Sequence, residues 1–544
     1  MCDHACVLAR GLLTGPRLLG LAGSATLTAG AYQVGALPGR AAADALPGLA
    51  DAPGALACLA GLLALTAAWW RIGQVTTATG GPVVTGRWML GTAALWALPL
   101  LFAPPLASRD VYAYACQGAV VAAGEDPHRT GAAALPCVWL DSVPPIWRDA
   151  ASPYGPLFSL LSGGAAAVSG GRIVVVVGLF RLLALVGVLL ATWYGRRLAH
   201  ECGVSPDRAA WLGLASPLVA VHAIAGAHND ALVTGLVFAA FAAALGRPRD
   251  TAALGRPCDT AALGRPRDNA AAGIAWRGAA AGLALGLAVA VKATALVGLP
   301  FVALALAATG GTDPAGAAAA HRGRLARAGA IVAGSTAVTS AALALASGLG
   351  LGFLRGLTRT GELAQWTSVP TAVGMTMGYA LRAAGVQSGD DAAIATARGI
   401  GLVVLVAVVG AAWWRAWREP SECLRRAVVG AGIGFAAVAL LGPVFYPWYA
   451  LTPMALLAVS VRPERVRAWL AAAAAVLAFL VLPNGAGLAP RTKLAGALLV
   501  SGTLAATVVT AVARRRRRGL PAGSIPTASS TPGRSRRRDP PQGR

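Results

Sequence analysis

The run WMLGTAALWALPLLFAPPL (88–106), with SRDVYAYACQG (108–118) one residue behind it, decides the fold. The first segment is long and apolar enough to cross a bilayer, which takes roughly 20 such residues. The second brings a carboxylate, Asp110, out of that run into a polar stretch. Working outward, the same alternation recurs along all 544 residues: runs of Leu, Ala and Val separated by short basic loops. Hydrophobic residues make up 56% of the chain and charged residues 12%, against about 25% charged in soluble domains. With a mean hydropathy of +0.63, the chain reads as a polytopic membrane protein. Backbone polar groups in lipid must be paired internally, and the runs show no regular alternation, so helices rather than barrel strands are expected.

The expected fold class is all-α, with about 13–14 transmembrane helices and a long first extracytoplasmic loop. Spans are expected at 12–36, 55–70, 88–107, 172–194, 208–226, 231–246, 276–291, 293–309, 326–348, 396–417, 427–445, 448–461, 467–483 and 493–513. Arginines set the orientation. With both termini in the cytoplasm, Arg71, Arg87, Arg196, Arg197, Arg277, Arg322–Arg327, Arg415–Arg426, Arg462–Arg467 and the tail all fall inside, as cytoplasmic loops prefer. The polar motifs then fall together on the extracytoplasmic face. Residues 1–513 read as one transmembrane catalytic domain, with 108–156 as its first outside loop and 245–275 as a cytoplasmic loop. That inner loop repeats LGRPRDTAA, LGRPCDTAA and LGRPRDNAA (245–271), and no function is assigned to it. Residues 514–544 read as a disordered basic tail. PYGPLFSLLSGGAAAVS (153–169) is expected to return as an interfacial helix.

The net charge of +24 does not imply nucleic acid, because the arginines follow the loop bias of a membrane protein. The bilayer itself is the expected partner. Cys116 and Cys137 share the outside loop, where a disulfide is permitted but its distance is not readable from sequence.

Ionisable groups at membrane depth are costly and mark sites. Asp110 suits a general base, or is a solvated loop carboxylate beside Arg109. His228, Asn229 and Asp230 form a polar cluster that either binds substrate or caps the next helix. Only Lys292 and Lys493 among the 46 basic residues are lysines. Lys292 interrupts an apolar run, where it binds a phosphate, forms an ion pair or snorkels. Arg355 and Arg359 are further phosphate candidates. Tyr112, Tyr114, Tyr154, Trp366, Tyr446 and Trp448 suit sugar stacking, or an interfacial belt. No metal site is expected; Asp126 and His128 are the nearest candidates for one.

Taken in order, SRDVYAYACQG with GEDPH (124–128), SPYGPLF (152–158), HNDAL (228–232), VKATALVGLPF (291–301) and FYPWYAL (445–451) carry a resemblance over about residues 80–460. The chain resembles the polyprenol-phosphate-mannose-dependent α-1,6-mannosyltransferases of actinobacteria, multi-spanning glycosyltransferases of the GT-C fold. The resemblance implies polyprenyl-phospho-mannose as donor and a growing α-1,6-mannan, of the lipomannan or lipoarabinomannan type, as acceptor. It implies inversion with Asp110 as base, no cofactor, and an extracytoplasmic site in the cell membrane. A GT-C enzyme using another lipid-linked sugar, and a lipid-linked-sugar transporter or flippase, are the competing readings. No inverted repeat of the kind a transporter predicts is found.

Overall fold

The computed structural model describes residues 2–39, 48–77, 84–246, 267–309, 317–386, 389–419 and 422–519. Most of the repeat loop and the tail beyond Gly519 lie outside the described residues. In chain order the elements are α1 (Cys2–Val34), α2 (Ala52–Thr77), α3 (Gly86–Phe102), α4 (Asp110–Ala122), α5 (Pro145–Arg148), α6 (Pro156–Ser169), α7 (Ile173–Glu201) and α8 (Pro206–Gly213). A π-helical turn (Val219–Ala225) precedes α9 (Asp230–Leu245) and α10 (Arg267–Val291). A 3-10 turn (Ala293–Gly298) leads into α11 (Leu299–Ala308). Then come α12 (Ala317–Ala346), α13 (Phe353–Arg359), α14 (Val369–Ala383), α15 (Asp390–Arg418) and α16 (Cys423–Leu441). A second 3-10 turn (Pro447–Ala450) opens α17 (Leu451–Ser460), followed by α18 (Glu464–Leu477) and α19 (Lys493–Gly519).

The described residues contain no strand, and the protein is an all-α, multi-pass membrane protein. Seven of its described helices are long and apolar enough to cross a membrane. An eighth span is present if the π-helical turn and α9, bent by 104° at their junction, count as one broken crossing. That is fewer than the 13–14 spans the sequence suggests. Several apolar runs fold instead as short or interrupted helices, such as the 17-residue α3 and the 10-residue α11 and α17. The segment after Asp110 also differs from expectation. Residues 110–122 form a buried helix, α4, rather than part of a loop, and α14 occupies part of the expected outside segment 349–395. The helix expected to return after the loop is α6.

Small residues let the bundle close. A Cβ on Gly187 of α7 would lie 2.2 Å from the Ala231 carbonyl, and one on Gly235 of α9 would lie 2.5 Å from the Gly187 carbonyl. Lipid offers no hydrophobic drive between helices, so such close backbone contact is what binds them. At one end of the bundle the basic residues tie helix ends together. Arg197 donates to Gly246 O, Arg277 Nη1 to Leu245 O at 3.5 Å, and Arg462 Nε to Cys202 O at 3.1 Å. Arg462 also pairs with Glu422, and Arg208 pairs with Glu464.

Toward the other end, Arg181 of α7 is only 5% exposed and faces backbone. It donates to Leu101 O (2.7 Å), Pro104 O (3.3 Å), Ile224 O (3.3 Å) and Ala225 O (3.0 Å). These are the carbonyls that α3 and the π-helical turn leave unpaired where they end. One guanidinium thus fixes the chain on both sides of it. A buried acceptor left unpaired costs about 1–3 kcal/mol. Arg181→Met should therefore lower the thermal unfolding midpoint in detergent by the equivalent of at least that amount, with Arg181→Lys intermediate. An unchanged midpoint by size-exclusion retention after heating would show that Arg181 does not hold these ends.

Candidate active site

Four helix interruptions meet at the end of the bundle away from the arginine-tied helix ends. The first is Ala103–Arg109, where Pro104 and Pro105 cannot continue α3. Ala107 there has φ 57° and Ala227, in the second interruption, has φ 54°, a left-handed region that non-glycine residues seldom enter. Each stands three positions before a carboxylate that begins a helix, Asp110 for α4 and Asp230 for α9. The third interruption is at Lys292, whose backbone is extended (φ −153°, ψ 123°) between α10 and the 3-10 turn. No proline or glycine breaks the helix there. Tyr154 bridges to Lys292, and Gly155 N donates to Val291 O at 3.1 Å. Only glycine permits this, since a Cβ at position 155 would lie 2.4 Å from Ala290 O. The fourth interruption, Gly442–Tyr446, ends where Pro447 restarts the helix.

Lys292 Nζ donates to Asp230 Oδ1 at 2.8 Å and to Oδ2 at 3.0 Å. It also lies 4.3 Å from the centre of the Tyr449 ring, within cation–π range. The ion-pair reading of Lys292 is therefore the one the side chain adopts, leaving one of its three protons uncommitted. His228, fully buried, stacks on Trp448 at 3.9 Å between ring centres, and Trp448 stacks on Tyr446 at 4.7 Å. His228 Nδ1 stands 3.6 Å from Asp110 Oδ2 and 3.5 Å from the Tyr114 hydroxyl. Tyr114 meets Tyr154 edge-on at 5.1 Å. Neither His228 Nε2 nor either polar atom of the buried Asn229 side chain has a hydrogen-bond partner among the described residues.

Asp110 joins this cluster to solvent. Its side chain is 17% exposed, and Ser108 Oγ accepts its backbone N–H at 3.0 Å. Burial pushes its carboxyl up to about 6, with Lys292 pulling it down and the charge of Asp230 adding to the rise. It lines a cleft of about 960 Å³, open to solvent, whose other walls carry Trp147, Gln365, Trp366, Tyr446 and Trp448. Gln365 donates to the Tyr446 hydroxyl at 3.2 Å.

Not every residue singled out in the sequence reaches this centre. Tyr112 points away and donates to Ala36 O at 2.5 Å, tying α4 to the end of α1. Trp366 stands on the cleft's outer wall, donating to Thr492 Oγ1 at 3.0 Å. Arg355 is exposed on α13, whose Gly356 packs on the backbone of Ser152 and Pro153 just before Tyr154. The side chain of Arg359 lies outside the described residues. Asp126 and His128 sit 3.3 Å apart, and His128 Nε2 contacts Tyr154 O at 2.9 Å, so that pair braces the loop carrying Tyr154. Cys116 and Cys137 form a disulfide, with Cα atoms 5.6 Å apart, that staples the loop to α4. Sequence reasoning missed Trp147 and the cleft wall 484–490. PNGAGLAP (483–490) does carry a turn signal in its Pro, Asn and Gly residues.

Buried charges, unpartnered polar atoms and stacked aromatics at helix breaks define a multi-pass membrane protein with a polar site opening at one end. Comparison with known proteins then gives its family. Residues 17–308 match the family described as alpha-(1->6)-mannopyranosyltransferase, N-terminal domain, and residues 370–513 match the MptB C-terminal domain. The chain is 32% identical over 401 residues to the probable alpha-(1->6)-mannopyranosyltransferase of Mycolicibacterium smegmatis, covering 72% of this chain and 68% of that protein. It is 29% identical to alpha-(1->6)-mannopyranosyltransferase A of Mycobacterium tuberculosis, over 77% of this chain and 73% of that one. It is 26% identical to the Corynebacterium glutamicum protein of that name, over 71% and 74%. The chain belongs to the alpha-(1->6)-mannopyranosyltransferase family, and it is a membrane mannosyltransferase.

Removing one partner of a buried ion pair leaves an uncompensated charge, at about 3–5 kcal/mol. Lys292→Met should destabilise the protein by about that amount. The double variant Lys292→Met/Asp230→Leu should recover most of the loss in thermal unfolding yet remain inactive. Recovery of activity with stability would show the pair to be structural only.

Proposed function

We propose that this mannosyltransferase transfers mannose, with inversion, from polyprenyl-phospho-mannose to a growing α-1,6-mannan of the lipomannan or lipoarabinomannan type. The observation that carries the reading is the place of Asp110, where an open cleft meets the buried Lys292–Asp230–His228 cluster. The acceptor hydroxyl attacks the anomeric carbon, its proton passes to the Asp110 carboxylate, and the carbon–oxygen bond to phosphate breaks. Polyprenyl phosphate leaves with the electron pair, and a β-linked donor gives an α product. Lys292 holds the phosphate through its remaining proton. Because its charge is balanced by Asp230, Arg355 beside the Tyr154 loop supplies the second cation. Asn229 and His228 Nε2, buried without protein partners, pair with the sugar hydroxyls, which relieves the cost of leaving them unmade. Tyr114, Tyr154, Tyr446 and Trp448 position the mannose. Phosphate is a stable leaving anion, so the step needs no metal.

The site faces outward and both termini lie in the cytoplasm. Two features support this orientation. Arginines gather at the ends of the bundle away from the site, as cytoplasmic ends do. The Cys116–Cys137 disulfide belongs to an oxidising compartment.

Membranes containing the chain should transfer radiolabelled mannose from polyprenyl-phospho-mannose to a short α-1,6-mannoside, and excess EDTA should leave that rate unchanged. Asp110→Asn should lower it by about 100- to 10,000-fold, the usual worth of a general base. Normal transfer by an expressed Asp110→Asn chain would sink the assignment. The working form of Asp110 is the carboxylate. The rate should therefore hold above about pH 6 and fall as protons are added below it, about tenfold per unit. A profile flat through pH 5 would contradict the role.

A further inference from the structure

We infer that the 960 Å³ cleft beside Asp110 is the acceptor subsite, built for a neutral oligosaccharide, and that Trp147 and the 484–490 loop form its binding walls. The inference rests on the transferase reading above and adds the side from which the acceptor arrives. The first argument is the distribution of charge. Among the described residues, Arg109 and Asp110 are the only charged ones lining the cleft. The Arg109 guanidinium is committed to backbone, donating to Asn484 O (3.0 Å), Leu37 O (3.4 Å) and Ser142 O (3.5 Å). Arg491, one residue beyond that lining, is turned to the wall's own backbone and donates to Gly487 O at 3.1 Å, whereas Lys292 stands outside the cleft lining. A lipid phosphate and an uncharged sugar chain are thus sorted to opposite sides of one carboxylate.

The second argument is the lining. Aromatic faces of Trp147, Trp366, Tyr446 and Trp448 alternate with the amides of Gln365 and Asn484, a mixture that stacks on the C–H faces of sugars and bonds their hydroxyls. The third is construction. Arg109, next in sequence to the proposed base, ties the loop ending in α5 to the loop between α18 and α19. It is a positioning residue that sets the cleft's width at the point of reaction.

Gly487 offers a clean test, because a Cβ there would meet only Pro490 Cδ at 3.5 Å and Ala489 N at 4.0 Å, ordinary contacts. With the full chain in membranes, Gly487→Trp and Trp147→Ala should each raise the KM for an α-1,6-mannotetraose acceptor by about tenfold or more, the scale of one lost aromatic contact. The KM for polyprenyl-phospho-mannose should stay within about twofold, and Trp147→Phe should restore the acceptor KM. An unchanged acceptor KM, or equal rises for both substrates, overturns the subsite. A second measurement does not depend on turnover. Gly487→Cys should be labelled by a membrane-impermeant maleimide, and mannotetraose should slow that labelling while polyprenyl phosphate does not. Labelling indifferent to mannotetraose also overturns it. Failure of the transferase reading looks different, since the parent chain would then transfer no mannose at all.

Discussion

A backbone that leaves its helix inside a membrane protein must have every carbonyl and N–H paired, and this structure depends on how that demand is met. The candidate site sits at interruptions, where helices end early. Arg181 makes two of these interruptions possible by collecting the carbonyls freed by α3 and the π-helical turn. The strained residues Ala107 and Ala227 follow directly from those two ends. The segments that lead into Asp110 and Asp230 are therefore held by one guanidinium. Local strain of this kind persists only where the surrounding structure over-determines it.

The second organising feature is a separation of charge. Two carboxylates and one ammonium share the buried cluster, and the ammonium is bonded to Asp230 rather than to Asp110. Among the described residues Asp110 has no lysine or arginine partner, and burial raises its affinity for a proton. Had Lys292 paired with Asp110 instead, that carboxylate would have been a weaker proton acceptor. The 104° bend before α9 secures the choice, because it places Asp230 at a helix start facing Lys292.

The all-α membrane class was legible from composition, and charges set in apolar runs singled out Asp110, His228, Asp230 and Lys292, which the fold brings together. What joined them was not. That Lys292 pairs with Asp230 depends on two breaks separated by two helices, α9 and α10, and nothing local in VKATALVGLPF announces the break at Lys292. Tyr112 and Tyr114 lie two residues apart and looked alike as sugar-stacking candidates. A helix turns them some 200° apart, so Tyr114 reaches His228 while Tyr112 locks α4 to α1. The long described helices are fewer than the expected spans because several apolar runs form shorter helices. The run 448–461, for instance, folds as a 3-10 turn followed by the 10-residue α17, most of whose residues are buried inside the bundle. Arg181 drew no notice because arginine is common in this chain, although it interrupts the apolar run 173–190 as Lys292 interrupts its own.

The claim at the centre of this account is that the donor's phosphate lies on the Lys292 side of Asp110, with the anomeric carbon turned toward that carboxylate. A cryo-electron microscopy structure of the chain in lipid nanodiscs, with a non-transferable phosphonate analogue of polyprenyl-phospho-mannose, tests it directly. The account predicts the phosphonate within hydrogen-bonding distance of Lys292 Nζ and the mannose between His228 and Asp110. A phosphonate lying in the cleft against Trp147, or far from Lys292, would contradict it.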